Sequence, residues 1–118
     1  MAAVAAVKIF NNRNDVIAYE WLALTENDTA EHVAVPQQAD KTMQVDGDFG
    51  SGGDVRVEGS LAPSADKWGQ LSDTQGNAIT FLSGDNKAVE TILQNTMFIR
   101  PAVVGGTSVS VNPRILMS

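Results

Sequence analysis

No cysteine occurs in the 118 residues, so the chain can build neither a disulfide framework nor a thiolate metal site. That suits a reducing compartment without requiring one. Histidine occurs once, at position 32, with no Ser or Cys motif that it could serve. Aromatic side chains are few, two Trp, one Tyr and four Phe, so packing has first claim on most of them. No apolar run approaches the ~18 residues of a membrane span. The opening MAAVAAV lacks the basic residue that precedes the apolar region of a secretory signal. These features lead us to expect a soluble protein that is not exported by the Sec route and has no membrane partner.

Basic residues are scarce too. Eight Lys and Arg stand against 14 Asp and Glu, for a net charge of −6 and a pI near 4.5. Binding to a phosphate backbone needs a basic stripe, so no nucleic-acid partner is expected. The charge is also unevenly spread. Residues 15–58 hold ten acids against Lys41 and Arg56, residues 1–13 carry Lys8 and Arg13 with no acid, and after Glu90 the only charged side chains are Arg100 and Arg114. Weakly basic ends around an acidic middle could orient docking on a larger partner, or reflect chance scatter over a solvated surface. A chain of this length is one domain with one core, burying roughly 65% of the surface its unfolded state exposes.

The most regular order lies in residues 54–80, DVRVEGSLAPSADKWGQLSDTQGNAIT. Val55 and Val57 alternate with Arg56 and Glu58, the period-two pattern of a half-buried strand. Gly59, Ser60 and the small and Pro residues up to Asp66 end that strand, and Trp68 and Leu71 restart the apolar alternation. Asp73, Gly76 and Asn77 mark a second turn ahead of Ile79 and Phe81. The stretch therefore predicts a β-meander, with Val55, Val57, Trp68, Leu71, Ile79 and Phe81 in one core.

Residues 1–14 open with small apolar side chains and close on the polar cluster NNRN, which predicts an extended N-terminal arm ahead of a domain over residues 15–118. Lys8, Ile9, Phe10 and Arg13 are its candidate partner-binding residues, the apolar pair as anchors and the basic pair for steering. An edge strand or a passive tail are the alternatives for the same residues. Residues 16–24, VIAYEWLAL, form the most hydrophobic run. A helix is possible, but Val, Ile, Tyr and Trp favour a strand whose two faces both want cover, which suggests a central strand or one whose second face meets another chain. Residues 31–35 and 42–46 resume alternation, Pro36 begins a loop, and GDFGSGG at 47–53 is the most flexible-looking segment. Residues 83–86 read as a turn, and residues 88–93 fit a helical turn and a strand equally well. MFIRPAVV at 97–104 and TSVSV at 107–111 flank Gly105 and Gly106, the clearest hairpin signal, and the chain closes with Asn112, Pro113, Arg114 and a short apolar tail. Eight or nine short strands with regular turns predict an all-β fold, a single antiparallel β-sandwich or barrel with jelly roll as first choice.

No catalytic constellation emerges. Asp46, Asp48 and Asp54 among glycines lack the regular oxygen ligands and distal Glu of a calcium loop. GSGG at 50–53 lacks the Lys and the following helix of a phosphate-binding loop, and so reads as turn chemistry. Trp21 and Trp68 could stack on sugars, although core roles have first claim on them. Arg100 followed by Pro101 inside an apolar strand fits an edge or bulge, its guanidinium pairing with a nearby carboxylate or with a partner chain. Neither enzyme activity, nor a cofactor, nor a metal is expected.

The succession DKTMQVDGDFGSGGDVRVEGS, a Trp with Leu two residues past its Gly, then DTQGNAIT and FIRPAVVGGTSVSV, spans about residues 40–111. It resembles small virion structural proteins of tailed bacteriophages, and is similar in particular to capsid decoration, or cement, proteins that stabilise an assembled head. The resemblance implies a β-sandwich or jelly-roll subunit without catalysis, bound to the major capsid protein on the outer capsid surface of the virion, often as a homo-oligomer (dimer or trimer), after assembly in the host cytoplasm. A carbohydrate- or receptor-binding β-sandwich module of a phage tail fibre is the alternative. An exposed Trp21 or Trp68 would favour it.

Overall fold

The structure, a computed structural model, describes residues 3–11, 16–34, 40–62, 67–82 and 89–118. Arg13, the loop begun by Pro36 and the turn at residues 83–86 lie outside the described residues.

Two alternating stretches far apart in sequence pair with each other. β6 (Lys41–Asp48) runs antiparallel to β12 (Ser110–Met117), and β7 (Asp54–Ser60) antiparallel to β11 (Phe98–Val104). From Lys41↔Met117, through a bridge at Ser51↔Thr107, to Ser60↔Phe98, each step forward on one arm is one step back on the other. The arms thus form one ribbon in constant register. It bends in the middle, so that β6 and β12 lie in one five-stranded sheet and β7 and β11 in another. Glycine makes the bend. Gly106 has φ of +87°, and a Cβ there would stand 2.6 Å from Gly53 Cα, so the two sides of the corner can touch only without a side chain. Strands that change sheet at such corners fold two sheets over one core.

The other strands complete the sheets. In the first, β3 (Ile17–Trp21) pairs with β12, β2 (Ala6–Asn11) with β3, and β10 (Glu90–Ile92) with β6. In the second, β5 (Val33–Ala34) borders β11, while β8 (Gly69–Gln70) and β9 (Thr80–Leu82) share the far edge of β7. β1 (Ala3–Val4) and β4 (Thr29–Ala30) form a short parallel pair. Inward residues of both sheets meet in one buried cluster: Trp21, Met43, Ile115 and Met117 from the first, Val55, Val57, Phe81 and Ile99 from the second. The chain is therefore all-β, with antiparallel sheets around a common core.

Residues 3–11, expected within an extended arm, pair inside this chain instead. β2 lies along β3, which would otherwise present a row of unpaired N–H and C=O groups at the sheet edge. The hairpin expected at Gly105 and Gly106 is also corrected. β11 and β12 lie in different sheets, because positive φ at both glycines serves a corner as well as a turn and β12 finds its partner in β6. The supposed apolar tail completes β12 at the middle of the first sheet. Pro113 fits there because Val111 N–H donates to Leu24 O; two residues on, the missing donor of Pro113 faces the break in pairing at Leu22 and Ala23. Ala23, with φ of +54°, marks that break. The meander is corrected as well: β8 and β9 both pair with β7, end to end, and touch each other through the bridge Ser72↔Ala78.

Lys41 is 1% exposed, its Nζ donating to Asn95 Oδ1 at 2.8 Å. Burial pushes its pKa below the usual lysine range, against the raising effect of Asp40. A base with a lowered folded-state pKa holds its proton more tightly when unfolded. It therefore weakens the fold below that lowered pKa, and the burden lifts as pH rises towards the unfolded value of 10.5. Urea titrations of Lys41→Met and the parent should show the variant losing ground to the parent across that alkaline window. A difference independent of pH would contradict the burial argument.

Candidate functional site

The outer face of the second sheet carries a compact aromatic and ionic cluster. Ile99 and Pro101 of β11 point inward, which leaves Phe98, Arg100 and Ala102 on the outer face. Register sets Arg100 opposite Glu58 of β7, and Arg100 Nε donates to Glu58 Oε1 at 3.0 Å. The same guanidinium lies 4.0 Å from the centre of the Trp68 ring. Alternation in the β8 segment puts Trp68 on the face of Gln70, which stands opposite Glu58. The His32 ring completes the group, 5.6 Å from Trp68 and 5.3 Å edge-on from Phe98. Arg56 and Asp54 extend the face with a second ion pair at 3.1 Å. Exposed pairs contribute ~0–1 kcal/mol, but the side chains of Arg100 and Glu58 are only 21% and 24% exposed. Stacking on Trp68 holds the guanidinium further, so this pair acts as a rigid polar centre.

The outer face of the first sheet is built differently. Arg114 of β12 lies between Glu20 of β3 and Asp46 of β6, 2.5 Å from each, and Asn112 donates to Asp46 at 3.1 Å. The Arg114 hydrogen bond holds the Asp46 carboxyl below its ordinary range, so its contribution to stability is present above pH 3.8 and fades as pH falls below that. Beside this network runs an open groove of about 210 Å³, lined mostly by Ile9, Ala18, Thr42, Val89 and Leu116.

The residues expected to bind a partner are divided between the two sheets. Lys8, Ile9 and Phe10 lie together on β2, at one edge of the first sheet. Lys8 Nζ is 5.9 Å from the Tyr19 ring centre, Ile9 is 46% exposed, and Phe10 pairs through its backbone with Ala18. Arg100 stands on the other sheet, in the intramolecular pair with Glu58. Trp21 is fully buried and its Nε1 donates to Glu31 O at 2.8 Å. Trp68, expected in the core, is half-buried and outside it, whereas Val55, Val57, Leu71, Ile79 and Phe81 are buried together. The spacing carries the reason: Trp68 and Leu71 are three residues apart, so a strand sends them to opposite faces. The Arg114 network escaped notice because its three members lie on three strands distant in sequence.

His32 is exposed and engaged with aromatic rings, and Asp46, Asp48 and Asp54 each serve a bond within the protein, to Arg114, Gly50 N and Arg56. Among the described residues no group of three His, Cys, Asp or Glu side chains is placed to hold a metal ion. Beside Arg100 and Glu58 an open cleft of about 170 Å³ reaches Asp28 and Thr29. Both it and the groove fall short of the ~300–1,000 Å³ typical of small-molecule sites. The arrangement suits non-covalent recognition of a surface: aromatic rings and a guanidinium on one face, apolar side chains on the other. Comparison with family models, curated proteins and solved structures returns no match.

Proposed function

We propose that this chain is a virion structural protein of a tailed bacteriophage, a capsid decoration or cement protein that binds the major capsid protein on the outer head surface and stabilises the shell. The cluster of Trp68, Phe98, His32 and Arg100 on an open sheet face carries the proposal. Trp and Arg dominate the hot spots of protein interfaces, and here they lie half-buried on an outer sheet face beside a cleft too small for a typical ligand. The resemblance over residues 40–111 supports the same reading, as does the acidic, cysteine-free composition. Within the all-β class the proposal takes the fold as a jelly-roll sandwich. The bent ribbon supports that choice, since an antiparallel ribbon folded over a corner lays two sheets face to face.

Co-sedimentation with capsids that lack the protein tests the proposal. The parent should pellet with shells, and Trp68→Ala should bind roughly 30-fold more weakly, the loss of a hot-spot side chain worth about 2 kcal/mol. Parental affinity in the variant would remove this face from the contact. A parent that stays in the supernatant would overturn the function. The placement of Trp68 outside the core, half-buried on the outer face, leaves a second reading, a carbohydrate- or receptor-binding module of a tail fibre. That module would bind immobilised glycan through Trp68 and leave the shells untouched.

A further inference from the structure

We infer that the outer face of the first sheet docks a short extended segment of a partner protein, one that carries an apolar residue flanked by Lys or Arg. Register places Ala18, Leu116 and Thr42 side by side on β3, β12 and β6, and antiparallel neighbours opposite each other share a face. Leu116, 45% exposed, stands above the buried Ala18. The groove runs along this row, with Ile9 on β2 at one side and Val89, before β10, at the other, both of them exposed. An apolar side chain of the partner has its seat here.

Carboxylates bracket the row along the strands. Glu20 follows Ala18 by two residues and Asp46 follows Thr42 by four, so alternation keeps both on the same face. At the other end, Asp40 and Ser118 exchange backbone hydrogen bonds and extend the ladder of β6 and β12 by one pair, which puts the exposed Asp40 on that face two residues before Thr42. Among the described residues Arg114 is the one cation there, because Lys8 stands opposite Tyr19 on the other side of the sheet. Arg114 lies between Glu20 and Asp46 and balances a single charge, so the three carboxylates leave the face negative. The outer face of the second sheet differs: it matches Arg56 and Arg100 with Asp54 and Glu58.

Charge and size together select the occupant. A negative face repels nucleic acid, an anionic membrane and another copy of this acidic chain, and it attracts a basic partner. Strands about 4.8 Å apart and some six residues long give the five-stranded sheet a projected area of about 400 Å². That falls short of the ~600–1,000 Å² per partner of a stable contact between folded surfaces, so the face suits a segment and not a globular partner. Spacing sets the pattern of that segment. At ~3.4 Å per residue, Asp40 lies ~7 Å to one side of the row of Leu116 and Thr42, and Asp46 ~14 Å to the other. An extended occupant meets both with a basic residue two positions before its apolar anchor and another four positions after it.

The inference does not rest on capsid binding and is tested without capsids, by fluorescence polarisation of labelled peptides with the full chain. The probe is Gly-Lys-Ser-Leu-Thr-Ser-Thr-Lys-Gly, which carries the spacing that the face prescribes. It should bind roughly tenfold more tightly than the same peptide with Glu in place of both Lys, a preference that high salt removes. Ser in place of its Leu should weaken binding by about tenfold as well. On the protein, Leu116→Lys should bind the probe roughly tenfold more weakly with an unchanged circular dichroism spectrum, and Asp46→Asn should bind it less tightly with a shallower salt dependence. Leu82→Lys, on the second sheet, should match the parent. Val89→Lys at the rim provides a second disruption if Leu116→Lys misfolds. Equal binding of the Lys and Glu peptides would overturn the inference, and so would parental affinity in the charged substitutions on the first sheet. If neither peptide binds, the inference fails, and a parent of twice the single-chain mass in sedimentation equilibrium would then assign the face to a second copy.

Discussion

Gly106→Val is expected to cost about 2–5 kcal/mol and to lower the melting temperature by roughly 10–20 °C. Two effects add. A non-glycine residue held at positive φ costs ~1–2 kcal/mol, and the new side chain must displace backbone at the corner, comparable to overpacking at ~1–3 kcal/mol. The φ there is +87°, and Gly53 Cα and N lie 2.6 and 2.7 Å from where the Cβ would be. Against a total stability of ~5–15 kcal/mol, that loss threatens the fold itself. Gly52→Val separates the two effects. Gly52 has φ of +75° with nothing within 4 Å of a Cβ, so only the first cost applies. Equal melting temperatures for the two variants would show that the sides of the corner do not touch.

Trp21→Ala is expected to cost about 3–5 kcal/mol, the range for removing a buried Trp. Its side chain is fully buried in the common core, and its loss also leaves Glu31 O without its donor. Trp68→Ala should cost less, about 1–2 kcal/mol, because it removes a half-buried ring outside the core and its stacking on Arg100. Urea midpoints of the two variants measure the contrast. Similar losses would place Trp68 in the core after all.

Much of this architecture was legible from alternation alone. Residues 16–24 read as a strand with Ile17, Tyr19 and Trp21 on one face; β3 covers Ile17–Trp21 of them, fourth of five strands, with Trp21 in the core, whereas the cover expected on the other face is missing at Leu22, which is exposed. Met43, Val55 and Val57 likewise turned inward as their spacing required. What alternation does not carry is the choice of partner strand. Gly105 and Gly106 announce positive φ, but a hairpin and a sheet-changing corner ask for the same φ. Only the long-range register through Ser51↔Thr107 decides between them. Pro113 likewise marked an apparent stop, since nothing local to residue 113 reveals that the facing strand is broken at Leu22 and Ala23. The candidate site was half visible: Arg100 stood out as a cation in an apolar strand, while its partners Glu58 and Trp68, and His32 beside Trp68, come from segments that meet only in three dimensions.

The proposed cement role predicts more than attachment. Multivalent contacts across a repeating lattice should hold neighbouring subunits together. Thermal disruption of capsids that lack the protein, followed by the access of a dye to packaged DNA, measures that directly. Saturating the shells with the purified chain should raise the temperature of dye entry by several degrees, with Trp68→Ala ineffective at the same concentration. An unchanged transition on shells to which the protein is demonstrably bound would contradict a cement function.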